Sequence, residues 1–525
     1  MTKPISKNAI DASTLDKDIQ LEADVVIVGS GAGGGVTAET LTQAGYKVII
    51  IEEGGYHRRP DFTLREIETF QKLYFDGGNR STKGHEFAVA QGRTVGGSTV
   101  VNWTTCLRAP HQTFDYWKNT YSIEGYSLND MIPFYKWAEK RLSVVEWTAH
   151  NSNNNLLAIG AKKLGWSYRN VPRNVKGCPA TGFCGLGCPT DAKQSMMLTT
   201  IPEALKKNAT LLYRTRAVQF LQKNERITEL QCRALTADGV NVTQTKITLK
   251  AKLFITSCGA INSPALLLRS KLPDPHKRIG KRCFVQMHNY SIANMPNLII
   301  PFSGAPQSVA SDQFIFVDGV SGRAGYNIEA VGAQPVVMMN FRKAVGFNFE
   351  DFAKNLSRIH ILVSQIRDGF CDESQGGTVS LNEHGRGILD YPLTDFIKDG
   401  IRRSYLSMAE CQFAAGAEKV TPASNDVEPF TSWSDAKRGI ENMPIRSPNT
   451  FVNTTHPLGG CAMGSDEKIS VVDTNAKFHH LSNLAVIDGS IFPTSLGLNP
   501  SLTIYAISAK LAKYYSKQLK TMTIG

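Results

Sequence analysis

The sequence predicts an α/β protein of two lobes: one built on a parallel sheet with crossover helices, and one that combines an antiparallel sheet with helices. The first lobe is indicated by an apolar, β-branched run at 24–28, which a glycine-rich turn and a helical pattern at 36–44 follow. The second is indicated by short β-like segments at 287–337 and 376–391, which glycine, proline and asparagine interrupt. With 525 residues, the chain also exceeds the size at which single cores split into domains, about 250–300 residues.

The turn after the first strand has the spacing of a dinucleotide-binding loop, in which Gly29, Gly31 and Gly34 form G-x-G-x-x-G. In this pattern the first glycine permits the tight turn, the second lets a pyrophosphate approach the backbone, and the third lets helix and strand pack closely. A second apolar run at 47–51 ends in Glu52, an acid about 20 residues past the glycines that is suited to binding a ribose diol. Together these features predict a Rossmann-like dinucleotide-binding lobe.

A segment near the carboxy terminus contains a candidate catalytic pair. His456 stands in a glycine-rich turn, and Asn499 precedes a proline that opens a helix. A neutral imidazole, with an ordinary pKa of about 6.5, can accept the proton of an alcohol hydroxyl near neutral pH. An amide can hydrogen-bond the same oxygen and stabilise the developing alkoxide. The pair predicts alcohol oxidation with His456 as base and Asn499 orienting the oxygen; the alternative is a turn histidine whose ring bonds the backbone.

These motifs, together with the glycine-containing block at 91–103, resemble those of the glucose–methanol–choline (GMC) family of FAD oxidoreductases. The motif sequences at 456–461 and 497–500 are closer to those of cholesterol oxidases and long-chain alcohol oxidases than to those of glucose oxidases. We match no motif over 304–444. The resemblance implies an FAD-binding Rossmann-like lobe of the GMC, or p-hydroxybenzoate-hydroxylase, type. It also implies oxidation of an alcohol to an aldehyde or ketone by hydride transfer to flavin N5.

The resemblance further implies which residues contact FAD. The three glycines of the first loop would hold the pyrophosphate, Glu52 would hold the adenosine ribose, and the backbone of Val218 would meet the adenine. The other expected contacts lie beside the flavin, in the second family signature and at the central phosphate: Gly96, Gly97, Asn102, Gly259, Asp488 and Gly489. Several members bind FAD covalently through a histidine after the double glycine. This block contains no histidine, so we expect non-covalent FAD.

A cysteine-rich loop leaves three alternatives open. Cys178, Cys184 and Cys188 follow a C-x5-C-x3-C spacing in a Gly/Pro-rich stretch. They could be free thiols packed as small hydrophobic groups, could form a disulfide, or could bind an iron–sulfur cluster. Thiolates suit Zn and iron–sulfur clusters, but either usually takes four ligands and this loop offers three. A cluster would make the protein an electron-exporting dehydrogenase.

The segments 336–341 and 347–352 are rich in Met and Phe. Most stripes of this kind belong to the core, but a share could line an apolar pocket, and such a pocket would suit a small-molecule alcohol of lipophilic character. A sterol or sugar dehydrogenase of the same family is an alternative, as is a non-redox or photo-active flavoprotein. The electron acceptor could be oxygen, a quinone or a redox partner.

Charge and cysteine usage bound the partners and the compartment. The net charge is +12, but the basic residues form no stretch interleaved with aromatic residues, as a nucleic-acid-binding groove would require. We therefore expect no nucleic-acid partner. The sequence contains no run of about 18 apolar residues, so we expect no membrane-spanning segment. The scattered cysteines lack disulfide-framework spacing, which favours a cytoplasmic location. The tail at 504–519 reads as a helix with an apolar stripe; we expect it to pack on the first lobe, with peripheral contact to an anionic membrane as the alternative.

The motifs divide the chain into a discontinuous lobe and an inserted one. We expect a loose lead-in at 1–21, an FAD-binding lobe at 22–286 and 449–525, and a substrate-binding lobe at 287–448. The cysteine-rich loop at 177–195 would be an excursion from the FAD-binding lobe.

Overall fold

A computed structural model describes residues 6–332, 334–339 and 347–524, and these residues form the α/β fold that the sequence predicts. The first lobe is built on an eight-stranded sheet. In spatial order its strands are Ala9–Asp11, Thr210–Tyr213, Val48–Glu52, Ile19–Val28, Val242–Thr256, Arg226–Leu235 and Thr215–Lys223, and Leu484–Val486 pairs with Val242–Thr256. The last two strands of this order are antiparallel to their neighbours, and all other pairs are parallel.

The parallel centre of this sheet positions the first glycine-rich loop. The four residues before Gly29 and the strand Val48–Glu52 are β-branched runs with buried side chains, as parallel strands covered on both faces require. Val28 is paired with Ile51 on one side and with Thr256 on the other. The three strands therefore end at the same edge, where open α/β sheets bind their ligands.

The second lobe is built on another eight-stranded sheet, which is almost entirely antiparallel. In spatial order its strands are Ala88–Val89, Val452–Thr454, His288–Asn294, Ile359–Ile366, Tyr326–Ala330, Val309–Phe314 and Arg169–Asn170, and Lys419–Pro422 pairs beside His288–Asn294. Five of these strands come from the described part of 287–448, for which we predicted an antiparallel sheet. The other three come from distant parts of the chain, so the sheet joins the two lobes.

Helices cover both sheets. The described α-helices are Ala32–Gln43, Glu66–Leu73, His111–Tyr121, Leu128–Arg141, Ser152–Lys163, Thr200–Lys206, Gly259–Arg269, Pro335–Met339, Phe347–Lys354, Asp395–Ala414, Trp433–Asn442 and Ser501–Gln518. The described short 3-10 helices are Ala12–Thr14, Arg59–Asp61, Phe75–Gly78, Gly97–Val100, Leu356–Arg358 and Gly489–Ile491. Paired two-stranded ribbons are Cys283–Phe284 with Leu458–Gly459, Thr378–Leu381 with Gly387–Asp390, and Val144–Val145 with Arg173–Asn174. Within the described ranges, none of the helices combines the length and the apolar character that a membrane crossing needs.

The C-terminal helix packs on the first lobe. In the helix Ser501–Gln518, the stripe residues Ile507, Leu511 and Tyr515 are buried, and the helix contacts Ala32–Gln43. The apolar stripe is therefore covered by protein, which confirms the expected packing of this helix on the first lobe.

Part of the segment 1–21, for which we predicted a loose lead-in, belongs to the first sheet. Ala9–Asp11 pairs in parallel with Thr210–Tyr213 at the sheet edge. The carboxylate of Asp11 also forms an ion pair with Arg214. This pair joins residues 203 positions apart, so the local sequence, which is polar, does not reveal it.

Candidate active site

A cavity of about 880 Å³ is lined by residues of both sheets. Its size is at the upper end of the range for small-molecule sites, about 300–1,000 Å³. The first sheet contributes the turns after its parallel strands, and the second contributes Tyr290 and its cross-strand partner Val363. Both predicted catalytic residues and most predicted cofactor contacts line this cavity, namely His456, Asn499, Gly29, Gly31, Glu52, Gly97, Asn102, Val218, Gly259, Asp488 and Gly489.

The first glycine-rich loop has the conformation that its spacing predicts. Gly29 has a φ of +103°, and a Cβ there would lie 2.2 Å from a backbone oxygen of the neighbouring strand turn. A Cβ on Gly34 would lie 1.8 Å from the carbonyl oxygen of Gly29, so this glycine lets the helix pack on the loop. At Gly31 the nearest atom to an added Cβ is the Cα of Gly97 at 3.8 Å. The protein therefore leaves space in front of Gly31, at the amino terminus of a helix that attracts anions.

The carboxylate of Glu52 ties this loop to the next one. Its Oε2 accepts hydrogen bonds from the backbone nitrogen and the hydroxyl of Ser30, at 3.1 and 2.6 Å, and its Oε1 accepts one from the nitrogen of Gly54 at 2.8 Å. The Ser30 hydroxyl in turn accepts a hydrogen bond from Gly96 at 2.9 Å. Burial raises the pKa of Glu52, whereas these hydrogen bonds favour the charged form. A carboxylate has about four acceptor positions, so one is left for a ligand.

The second glycine-rich loop meets the first at the cavity wall. A Cβ on Gly97 would lie 2.8 Å from the Cα of Gly31, so the two loops are in close contact. Asn102 lines the cavity, and its buried Oδ1 has no hydrogen-bonding partner in the described part of the chain. Gly34 and Gly96, which we predicted as FAD contacts, are not lining residues; they pack against protein instead, Gly34 against Gly29 and Gly96 against Met197.

The remaining predicted contacts come from three separate segments that meet at the wall. Val218 lies in a strand of the first sheet, and Gly259 begins a helix with a φ of +82°. The Oδ2 of Asp488 accepts a hydrogen bond from the nitrogen of Gly259 at 2.8 Å, and its Oδ1 accepts one from Ser490 at 2.7 Å. Asp488 thus attaches the C-terminal segment to the Gly259 turn.

His456 is held in a turn between the strands Val452–Thr454 and Leu458–Gly459. Its backbone nitrogen donates to Thr454 Oγ1 at 3.0 Å, and Gly459, with a φ of +77°, closes the turn. The residue lines the cavity, with protein packed around its imidazole. Neither ring nitrogen of His456 bonds the backbone in the described structure. The surrounding protein lowers the pKa of His456 to about 3, so the imidazole is neutral near pH 7.

A second histidine, which we did not predict, faces the first. His288 Nε2 lies 3.3 Å from His456 Nδ1, and the two rings are nearly perpendicular, with centroids 4.8 Å apart. Burial and the neighbouring His456 lower the pKa of His288 well below its ordinary value. His288 stands alone at the start of a strand and belongs to no motif. The sequence therefore contains no signal that could have found it.

Asn499 reaches the cavity from the turn before the C-terminal helix. It is buried, and its side chain lies beside the carboxyl group of Glu329, a buried residue of the second sheet that also accepts a hydrogen bond from Asn327 at 3.1 Å. Burial raises the pKa of Glu329 to about 8. The Oδ1 of Asn499 is buried and has no partner among the described residues. Glu329 belongs to no motif and has no characteristic spacing from Asn499, so the sequence could not indicate that the two residues are neighbours.

The three cysteines of the cysteine-rich loop lie together beside a small cavity of about 20 Å³. A buried lysine, Lys193, anchors the loop by donating to the carbonyl oxygens of Cys184 and Asn102, at 2.5 and 2.6 Å. Cys178, Cys184 and Cys188 are free thiols. Across the described ranges, no group of three or more His, Cys, Asp or Glu side chains is arranged to hold a metal ion. The three thiols are therefore not joined by a disulfide bond in the described structure.

Three observations show that the cavity residues fit FAD. The backbone at Gly31 is open beside a helix amino terminus, as a bound pyrophosphate requires. Glu52 retains an acceptor position for a ribose diol. Asn102 and Asn499 present buried amide oxygens without partners in the described chain, and such atoms normally bond a ligand or water.

Comparison with known proteins identifies the family of the chain. The chain matches the description "GMC oxidoreductase" over residues 70–288 and again over 372–508, which together are more than half of the chain. It matches "FAD binding domain" over residues 24–59, the segment of the first glycine-rich loop.

Two curated relatives match along nearly the whole chain. An uncharacterized GMC-type oxidoreductase of Sinorhizobium fredii is 29% identical over 508 residues, which cover 95% of this chain and 96% of the relative. A long-chain-alcohol oxidase of Arabidopsis thaliana is 27% identical over 532 residues, which cover 95% of this chain and 68% of the relative.

Solved structures show the same fold. Pyridoxine 4-oxidase from Mesorbium loti superposes with a TM-score of 0.70 at 17% identity, covering 94% of this chain and 99% of that structure. A formate oxidase variant from Aspergillus oryzae superposes with a TM-score of 0.70 at 14% identity, covering 96% and 100%. Family descriptions, relatives and fold agree: the chain belongs to the GMC oxidoreductase family of FAD-binding enzymes.

Proposed function

We propose that this protein uses FAD to oxidise a lipophilic alcohol to an aldehyde or ketone. One observation carries the proposal. His456, whose Nε2 has no partner among the described residues, lines the same cavity as Asn499 and the dinucleotide-binding loop. A base, an amide and the cofactor cradle thus surround one space, which is what alcohol oxidation requires.

The chemistry that FAD supplies when bound is the acceptance, at N5, of a hydride from the alcohol carbon. The protein's own residues act on the hydroxyl group. The Nε2 of His456 accepts the hydroxyl proton, because burial keeps the imidazole neutral. The amide nitrogen of Asn499, beside Glu329, donates to the same oxygen and stabilises its alkoxide character.

Apolar walls support a lipophilic substrate. Phe70, Trp103, Val331, Val337 and Val363 line the cavity. Such walls exclude water and bind an alkyl chain, whereas a sugar needs many hydrogen-bonding groups. Two segments from which we predicted an apolar pocket are only partly described, since 340–346 lie outside the described residues. The long-chain-alcohol oxidases among the relatives agree with this substrate class.

We propose molecular oxygen as the electron acceptor, because several relatives are named as oxidases. Oxygen needs no protein docking surface. A quinone or a redox protein as acceptor would instead leave the alcohol-treated enzyme bleached in air until that acceptor is added.

The visible spectrum tests the proposed function. We expect the purified protein to show the two bands of oxidised flavin. Under anaerobic conditions and in the dark, 1-dodecanol should bleach them, glucose should not, and cholesterol serves as the sterol comparison. Readmitted air should restore the colour and yield hydrogen peroxide. A colourless protein, or flavin that no alcohol reduces, would overturn the proposal, and bleaching in the dark would dismiss a non-redox or photo-active role.

FAD is expected to be held without a covalent bond. In the segment after the double glycine 96–97, where some family members have the histidine that bonds FAD, this chain has Val100 and Val101. Their buried aliphatic side chains contain no nucleophilic atom that could form such a bond. Precipitation with acid should therefore release all of the flavin into the supernatant, measured by its absorbance. A yellow pellet after washing in denaturant would contradict this expectation.

A further inference from the structure

His456 and His288 face each other at the cavity wall, and the proposed function uses only His456. The nitrogens that meet are His456 Nδ1 and His288 Nε2, 3.3 Å apart. His288 is 4% exposed, and its backbone is fixed by pairing with Gln365 and Asn453 on either side. In the described structure, no other side chain bonds a ring nitrogen of His456.

The direction of this hydrogen bond decides whether His456 can be a base. A neutral imidazole carries one hydrogen, on Nδ1 or on Nε2. If His456 carries it on Nδ1, it donates to His288, and its Nε2 is free to accept a proton. If His288 donates instead, the hydrogen of His456 is on Nε2, and that nitrogen cannot accept the hydroxyl proton.

The reaction itself is compatible with only one direction. When the Nε2 of His456 takes a proton, the ring becomes an imidazolium with hydrogens on both nitrogens. Its Nδ1 must then donate to whatever faces it. A hydrogen on the Nε2 of His288 would place two N–H groups against each other at 3.3 Å. A lone pair at that position instead stabilises the new positive charge.

We propose that His288 is a positioning residue that accepts the Nδ1 hydrogen of His456 and so keeps the Nε2 of His456 free to take the substrate's hydroxyl proton. The inference rests on the proposed function. In the proton transfer, the substrate O–H bond breaks and the Nε2–H bond of His456 forms. The resulting imidazolium shares its Nδ1 hydrogen with His288, so every proton and charge is accounted for.

Two variants of His288 test the inference by kinetics. In His288→Gln, the side-chain carbonyl can still accept a hydrogen bond, whereas His288→Leu has similar bulk and no acceptor. We expect the leucine variant to lower the rate constant of flavin reduction by alcohol on the order of 100-fold, the lower end of what a positioned proton transfer contributes. The glutamine variant should stay within about 10-fold of wild type, and KM should change little in both, because His288 acts through His456. Equal rates in wild type and the leucine variant would overturn the inference.

The tautomer of His456 can be read without turnover. In holoenzyme labelled with ¹⁵N-histidine, the signals of His456 are identified by their loss in His456→Asn. We expect Nε2 without hydrogen in wild type and with hydrogen in His288→Leu. A hydrogen on Nε2 in wild type would overturn the inference, even where the leucine variant fails to fold. If no alcohol reduces the wild-type flavin, the proposed function fails, and this measurement still decides the role of His288.

Discussion

Replacing His456 by alanine is expected to lower the rate constant of flavin reduction by an alcohol about 100- to 10,000-fold, the range of a positioned general base. His456 lines the cavity, and because its Nδ1 faces His288, Nε2 is the ring nitrogen without a hydrogen-bonding partner in the described chain. FAD should remain bound, because the cradle of Gly31 and Glu52 lies elsewhere on the wall. Anaerobic stopped-flow at the flavin band measures the rate, and the flavin-to-protein absorbance ratio measures occupancy.

The matched control is His479→Ala. His479 is also partly buried, but it bonds the hydroxyl of Ser470 at 2.8 Å and does not line the cavity. This variant should reduce its flavin at the wild-type rate. Unchanged reduction in His456→Ala would refute the role of His456 as base.

The pH profile of the wild type adds a second criterion. Burial lowers the pKa of His456 from 6.5 to about 3. The base is therefore neutral at pH 8 and stays neutral down to pH 5; it is lost only when the pH falls through the lowered pKa. We expect no acid limb near 6.5 in the rate of flavin reduction. An acid limb centred there that vanishes in His456→Ala would contradict the lowered pKa.

Valine in place of Gly31 is expected to weaken FAD binding without unfolding the protein. Apart from the adjoining backbone, the nearest protein atom to an added Cβ would be the Cα of Gly97 at 3.8 Å, but the Cβ would occupy the space that a pyrophosphate needs. Such overpacking costs about 1–3 kcal/mol, roughly 5- to 150-fold in Kd. Titration of the apoprotein with FAD, followed by flavin fluorescence, measures the change.

Gly33 provides the contrasting variant. A Cβ on Gly33 would lie 1.9 Å from the backbone oxygen of Ile487, so valine there collides with protein rather than with cofactor. Gly33→Val should lower the melting temperature of the apoprotein, whereas Gly31→Val should leave it within a few degrees of wild type. FAD affinity in Gly31→Val equal to that of wild type would show that the pyrophosphate does not pass over this glycine.

The first glycine-rich loop could be predicted from the sequence because its requirements are local. The positive φ of Gly29 and the tight packing of Gly34 follow from the turn between one strand and one helix. The β-branched runs on either side of the loop identify parallel strands, since each residue must tolerate burial on both faces. Glu52 needs only to end the second such strand.

Long-range pairing could not be predicted in the same way. The strand Ala9–Asp11 is short and polar, and its partner lies some 200 residues later. The antiparallel sheet likewise takes strands from 88–89 and 452–454 in addition to the segment that we assigned to it. Pairing between strands that are distant in the sequence depends on which sheet edges are still unpaired once the core has folded.

The sequence by itself determined the fold class, the dinucleotide-binding loop and the candidate pair His456 and Asn499, because spacing and turn chemistry act over a few residues. Only the tertiary structure decided what surrounds that pair. His288 lies 168 positions before His456, and Glu329 reaches Asn499 from another sheet. The basicity and tautomer of an imidazole depend on burial and on the atom that faces it. Both are properties of packed neighbours that no local pattern encodes.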